Sequence, residues 1–222
     1  MSISQLPTVT SRLNIGFENL KESWIQAPAE YDDKGSLKIL GHPVMEWWEE
    51  SYMAKLAEVA CQNGGSILEV GFGLGISASK IQSHDIKKHV IIEANYNVFN
   101  KLLDFAKNAQ HQVIAIQGFW ENCINHLSPG SFDGILFDTY PLSKEEIHKN
   151  HFPFFEHAYR LLKVGGVLTY YSDEKESFSH DHIQKLHSAG FSKIECKVSQ
   201  LETPDSCQYW KDKTMIVPII EK

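Results

Sequence analysis

From Ser66 onward, short apolar runs alternate with longer segments of helical period, and few folds accommodate that alternation. The runs are Ser66–Val70, His89–Glu93, Gln112–Ile116, Phe132–Asp138, Gly166–Tyr171, Lys193–Val198 and Thr214–Ile220. The first five are mainly apolar or β-branched runs, as strands covered on both faces are, which predicts a parallel sheet. Helical patterns lie between them at Ala78–Gln82, Asn97–Ala109, Trp120–His126 and Lys144–Leu162. Repeated strand–helix–strand units wind right-handedly, which predicts a doubly wound, mostly parallel α/β sheet of seven strands. The last two runs are separated by Gln200–Lys211, which shows no helical period. They are read as an antiparallel pair, so the sheet gains an antiparallel edge strand.

Ahead of the sheet, Val44–Gln62 reads as one amphipathic helix, with Trp47, Tyr52 or Met53, Leu56 and Val59 on a common face. The first forty residues are irregular. Trp24, Ile25, Tyr31 and Leu37–Leu40 give that stretch enough apolar surface to form a lid over a pocket. The expected organisation is an N-terminal lid or arm over 1–43 and one domain over 44–222, a size that supports a single core.

Net charge is −7 and the chain has only two arginines, Arg12 and Arg160, which argues against a nucleic-acid surface. No apolar run approaches the roughly 20 residues of a membrane span, and the first residues lack the build of a secretion signal. A cytoplasmic protein, monomer or homodimer, is expected. Cys61, Cys123, Cys196 and Cys207 form no CxxC pair and are read as reduced packing residues. The histidines show no metal-ligand spacing, so no metal is expected.

The loop Glu69-Val-Gly-Phe-Gly-Leu-Gly75 follows the first strand and opens a helix. Its glycines, Gly71, Gly73 and Gly75, allow a tight turn and a close approach of backbone to a ligand. Nicotinamide and flavin enzymes use similar loops, so the loop alone does not name the cofactor. Glu93 ends the second strand, where a carboxylate accepts hydrogen bonds from a ribose diol. Gly118-Phe-Trp-Glu121 follows the third strand and sets Phe119 and Trp120 where an adenine could stack. Leu161-Leu-Lys-Val-Gly-Gly-Val167 resembles the turn before strand five of class I methyltransferases, with Val164 in place of the usual proline.

Asp138 ends the fourth strand, on the sheet edge that faces the ligand crevice of an open α/β fold. Glu49, in the helix ahead of the sheet, is a second candidate carboxylate. Here the chain resembles the guanidinoacetate N-methyltransferases. The likeness runs through Tyr31-Asp32, Ile39–Met45, Trp48-Glu49, Tyr52-Met53, Leu68–Gly73, Ala78–Lys80, Ile91–Glu93, Asn95, Phe132–Leu136, Asp138–Ser143, His157-Ala158, Arg160–Lys163 and Gly165–Tyr170. The resemblance implies a Rossmann-like fold and S-adenosylmethionine as cofactor. Trp24, Met45, Met53, Gly71, Phe72, Gly73, Leu74, Gly75, Ile76, Glu93, Ala94, Asn95, Phe119, Trp120 and Asp138 would form its shell. It also implies a small guanidino acceptor held by Glu49 and Asp138.

That chemistry has a physical rationale. A guanidinium ordinarily loses its proton only near pH 12.5–13.8, so freeing its lone pair at pH 7 costs roughly 8 kcal/mol. Carboxylates that grip the planar fork bidentately orient the attacking nitrogen, and one must take a proton as the new bond forms. Asp138 is expected to be that base and Glu49 the orienting partner. The family's segment after strand five receives the substrate carboxylate. Here Tyr171–Ser177 is shorter and acidic, and Glu174 and Lys175 are the expected substrate contacts. Guanidinoacetate is the first acceptor, giving creatine, and another guanidino compound or a small amine is the alternative. An NAD-dependent oxidoreductase and a non-catalytic cofactor-binding protein are readings of other classes.

Overall fold

The computed structural model describes residues 20–33, 35–207 and 209–222. It begins with a short helix, α1 (Lys21–Trp24), and a small antiparallel sheet of β1 (Ala29–Tyr31), β2 (Ser36–Ile39) and β3 (His42–Glu46). The expectation of an irregular first forty residues is therefore corrected over its described part, and residues 1–19 lie outside the described residues. The single helix expected over Val44–Gln62 is also corrected. Val44–Glu46 belong to β3, Trp47–Glu49 form one 3-10 turn, and the helix proper, α2, is Glu50–Cys61. A capping box between Glu46 and Glu49 marks the break and satisfies amides that the helix end would otherwise leave bare.

The main sheet and its helices follow as β4 (Ser66–Val70), α3 (Ile76–Gln82), β5 (Lys88–Glu93), α4 (Tyr96–Asn108), β6 (Gln112–Gln117), α5 (Trp120–Cys123) and β7 (Phe132–Phe137). They continue with α6 (Phe155–Leu161), β8 (Leu162–Tyr170), α7 (His180–Ser188), β9 (Lys193–Gln200) and β10 (Thr214–Glu221). Strand order is β6-β5-β4-β7-β8-β10-β9. The first five pair in parallel, while β10 runs against both β8 and β9. The reversed strand thus lies one place in from the edge, inside the expected antiparallel pair.

Alternation along the strands sorts the core into two layers. Ile67, Leu136, Val167 and Val217 face α2 and α3, where Met53, Leu56 and Ile81 pack. Leu68, Ile135, Leu168 and Ile220 face the other way, onto Phe155, Leu161 and Leu186 of α6 and α7. At β7 the layers nearly touch: a Cβ on Gly134 would lie 1.8 Å from the Ala60 carbonyl, so only glycine lets α2 sit this close. β6 departs from the expected two-sided burial, because it is the sheet's edge and all its side chains are exposed or half-exposed.

The helix expected over Lys144–Leu162 is shorter in the structure. Lys144–Glu146 and Phe152–Phe154 are 3-10 turns and only Phe155–Leu161 is α-helical. Two local causes account for it: Pro153, which cannot continue a helix interior, and His148, whose φ of 60 lies in the left-handed region. The Gly-Gly turn expected before the fifth strand is instead the irregular start of β8, where the register against β7 shifts. Among the described residues no helix is long and apolar enough to cross a membrane.

Candidate active site

A cleft of about 200 Å³ opens where the parallel strands end, with the glycine loop at its floor. The loop leaves β4 at Gly71, whose φ of 95 suits glycine and whose Cβ, if present, would lie 1.9 Å from the Asp138 carbonyl. Gly71 N–H donates to the Ile92 carbonyl and Asp138 N–H to the Val70 carbonyl, so the loop is laced to both neighbouring strands. Glu93 lies at the next strand end, with its two oxygens accepting from the Phe72 amide (2.9 Å) and the Asn95 amide (2.7 Å). Burial raises the Glu93 pKa, and these amides work against the shift by favouring the charged form. The result is a fixed buried carboxylate in the cleft wall.

The N-terminal segment roofs the cleft. Trp24 and Met45 both line it, and the Leu74 amide points at the Met45 sulfur, 3.5 Å away. Trp24 stacks on Tyr140, with ring centroids 5.3 Å apart and planes 10° from parallel. Asn95 anchors this roof. Its Oδ1 caps α4 by accepting from the Val98 amide, while Nδ2 donates to the Trp24 and Ala27 carbonyls at 2.8 and 2.9 Å. Lys21 adds an ion pair to Glu121 and sits 5.1 Å above the Phe119 ring.

The far end of the cleft is acidic. Glu49 and Asp138 both line it, brought there by the 3-10 turn after β3 and by the end of β7. Glu49 is 2 % exposed, and its Oε1 accepts from the Glu46 amide (2.9 Å) and from the Tyr209 hydroxyl (2.6 Å). Beyond Asp138 lies a small hollow of about 10 Å³, walled by Phe137, Asp138, Thr139, Asn150, Tyr171 and Asp173. His148 holds Asp173 through a 2.7 Å contact of Nδ1 with Oδ2.

Of the expected site residues, Trp24, Met45, Glu49, Gly71, Phe72, Gly73, Glu93, Ala94, Phe119, Trp120 and Asp138 line this one cleft. Leu74, Gly75 and Ile76 continue the loop into α3 without lining the cleft, and Asn95 lies behind it as the roof's anchor. Met53 is fully buried in the layer beneath the sheet, because it lies on the face of α2 that packs on the core. Trp120 lines the cleft and also packs edge-on against Phe137 and Phe154. Glu174 and Lys175 are not brought to the cleft. The extended chain after β8 turns Asp173 to the hollow and Glu174 away, onto the Ser179 amide and His182, and Lys175 pairs with Asp212 at 2.7 Å. Tyr140, Asn150 and Tyr209 escaped sequence reasoning. Tyr140 sits in the Asp138–Leu142 run, whereas Tyr209 lies in a loop with no period to mark it.

The sequence model of the guanidinoacetate N-methyltransferase family matches residues 13–222. The chain belongs to this family. It is an S-adenosylmethionine-dependent methyltransferase, and membership decides, in favour of S-adenosylmethionine, the cofactor question that the glycine loop alone left open. Among curated proteins it is 31% identical over 149 residues to "Protein arginine N-methyltransferase 2" of Yarrowia lipolytica, covering 64% of this chain and 30% of that one. The protein of the same name from Debaryomyces hansenii is 28% identical over 205 residues, covering 84% of this chain and 46% of that one. The chain thus spans less than half the length of these relatives. Among solved structures, spermidine synthase from Thermotoga maritima has a TM-score of 0.60 at 15% identity, covering 87% of this chain and 72% of that one. M. jannaschii TYW2 in complex with AdoMet has a TM-score of 0.58 at 15% identity, covering 88% of this chain and 85% of that one. These two likenesses concern the fold.

The residues present fit the family's cofactor. The side-chain-free approach of Gly71, the buried carboxylate of Glu93 and the apolar walls from Trp24, Met45, Phe119 and Trp120 suit the phosphate-free nucleoside and its ribose diol.

Proposed function

We propose that the chain methylates a nitrogen of a guanidino group, with guanidinoacetate as the first acceptor and creatine and S-adenosylhomocysteine as products. The observation that carries this reading is the pair of carboxylates, Glu49 and Asp138, in one cleft with the glycine loop. When bound, S-adenosylmethionine supplies a methyl group on a sulfonium sulfur. The rest of the task falls to the chain. Glu49, its Oε1 engaged by the Tyr209 hydroxyl and the Glu46 amide, is an oriented acceptor for the N–H fork of a guanidinium. Asp138 takes the proton that the attacking nitrogen sheds as its bond to carbon forms, and that transfer removes the roughly 8 kcal/mol cost of a free neutral guanidine. The roof of Trp24 and Met45 keeps water from the reacting centre.

A second acceptor, the arginine side chain of a protein, is favoured by the names of the two curated relatives. The shared requirement is the guanidino fork. Both readings are tested by incubating the protein with methyl-labelled S-adenosylmethionine and a set of guanidino acceptors, followed by mass spectrometry. Asp138→Asn should lower kcat by at least about 10²-fold, the scale of a lost general base, with S-adenosylhomocysteine binding retained. Labelled product from small amines alone, and from no guanidino compound, would refute the proposal.

A further inference from the structure

We infer that Asn150 supplies a neutral acceptor for the guanidino fork, beside the two carboxylates. The inference rests on the guanidino methyl transfer proposed above and deepens it. A singly substituted guanidinium carries five N–H donors in one plane. A carboxylate that grips the fork edge-on accepts one N–H on each oxygen, so Glu49 and Asp138 together leave at least one unmet. Oε1 of Glu49 already accepts from the Glu46 amide and the Tyr209 hydroxyl, which widens the shortfall. A fork drawn into the cleft therefore needs a further acceptor, because a donor left bare out of water costs free energy.

Asn150 meets that need by its place and by the way its amide is held. The stretch between β7 and α6 is tied back onto the Asp138–Leu142 run at two points. The Leu142 amide donates to Glu146 Oε2 at 2.8 Å, and Asn150 Nδ2 donates to the Thr139 carbonyl at 2.6 Å and to Thr139 Oγ1 at 3.2 Å. A main-chain carbonyl only accepts, so the amide cannot be turned round: Nδ2 faces Thr139 and Oδ1 is its open end. Among the described residues Oδ1 accepts no hydrogen bond, and it keeps contact with solvent. Asn150, Thr139 and Asp138 line the same cleft, and Thr139 is the chain neighbour of Asp138. The tie to Thr139 thus fixes the open oxygen relative to the base. A neutral oxygen suits this acidic end, since it receives an N–H without adding charge beside the carboxylates.

The test compares Asn150→Leu with Asn150→Asp in the full chain. Both lose the donors to Thr139, and only the second keeps an oxygen. Asn150→Ala repeats the first comparison with a smaller side chain. Affinities of guanidinoacetate and of arginine blocked as its N-acetyl methylamide are measured for the S-adenosylhomocysteine complex, with turnover of methyl-labelled S-adenosylmethionine in parallel. The two acceptors share the fork, so the effect should appear with either. Asn150→Leu should weaken acceptor affinity by about 10-fold, the scale of one hydrogen bond to a charged group. Asn150→Asp should hold it within about 3-fold of the wild-type chain or exceed it, and S-adenosylhomocysteine affinity should be kept in both. Equal loss in the two variants would make Asn150 a tie for Thr139 and nothing more, and unchanged acceptor affinity in Asn150→Leu would remove it from the site. Either result overturns the inference. Acceptor binding without methyl transfer overturns the reading of the reaction alone, since the affinities still report on Asn150, and binding of neither acceptor overturns the two together.

Discussion

Tyr209 donates a 2.6 Å hydrogen bond to Glu49 across 160 residues of chain. A hydrogen bond to a charged group contributes about 1.5–3 kcal/mol, so removing this one has a measurable cost. Tyr209→Phe should therefore raise KM for the guanidino acceptor by about 10-fold or more while leaving S-adenosylhomocysteine affinity near its original value. Steady-state kinetics with calorimetry separates the two effects. Equal loss of both would assign Tyr209 to general packing against Trp48 rather than to the carboxylate.

Asn95 should act on the cofactor from behind the wall. Asn95→Asp keeps the acceptor that caps α4 and loses both donors to the Trp24 and Ala27 carbonyls. Two neutral hydrogen bonds at about 1 kcal/mol each predict roughly a 10- to 30-fold weaker S-adenosylhomocysteine affinity. If Asn95 works through the indole, the loss in Trp24→Ala and that in the double variant will be non-additive. Additive losses would separate the two residues.

Gly71→Ala is expected to injure both halves of the cleft at once. The new methyl group collides with the Asp138 carbonyl at 1.9 Å, on a backbone whose φ of 95 already disfavours a side chain. Cofactor affinity and kcat should both fall by at least about 10²-fold, since a misplacement near 1 Å at the reacting centre has that consequence. A folded variant with normal turnover would show that the loop and Asp138 are not mechanically linked.

Acid should destabilise the protein through His151. Burial, with a smaller contribution from His182, pushes its pKa down to about 3, and its Nε2 has no hydrogen-bond partner among the described residues. The unfolded chain, with an ordinary histidine near 6.5, binds more protons between those values, so stability rises with pH across that window and falls as pH drops below about 6.5. From pH 7 to pH 5 the loss due to His151 is about 2 kcal/mol, at 1.36 kcal/mol per pKa unit. His151→Phe keeps a ring between Tyr170 and His182, and its urea midpoints should change less over that interval. An unchanged slope would place the acid sensitivity elsewhere.

The central strands were legible because β4, β5 and β7 are covered on both faces, and such strands write continuous apolar runs into the sequence. β6 has a similar run yet lies at the edge, so composition alone did not reveal its exposure. Helix boundaries were less legible. The spacing of Trp47, Met53 and Leu56 continues a helical period backward into β3, and only the Glu46–Glu49 capping box breaks it. Pro153 did signal the break in Lys144–Leu162, and the apolar period around it concealed that signal. The cofactor half of the site was readable since its residues cluster at strand ends. Asp138 was readable for the same reason. Tyr209 was not, since nothing local in a loop records a partner so far away, and whether Asp173 or Glu174 faces the hollow depends on which way one extended segment turns.

The contact between Tyr209 and Glu49 has a further consequence for the order in which the protein matures. At the cofactor end the bond from Phe72 to Glu93 spans 21 residues and those from Asn95 to the roof span 71 and 68. The acceptor end waits for the β9–β10 hairpin to deliver Tyr209, a closure that carries a larger loop entropy and forms later. Acceptor binding is thus a more stringent report of a finished molecule than S-adenosylhomocysteine binding, because it needs a contact made across the longer loop.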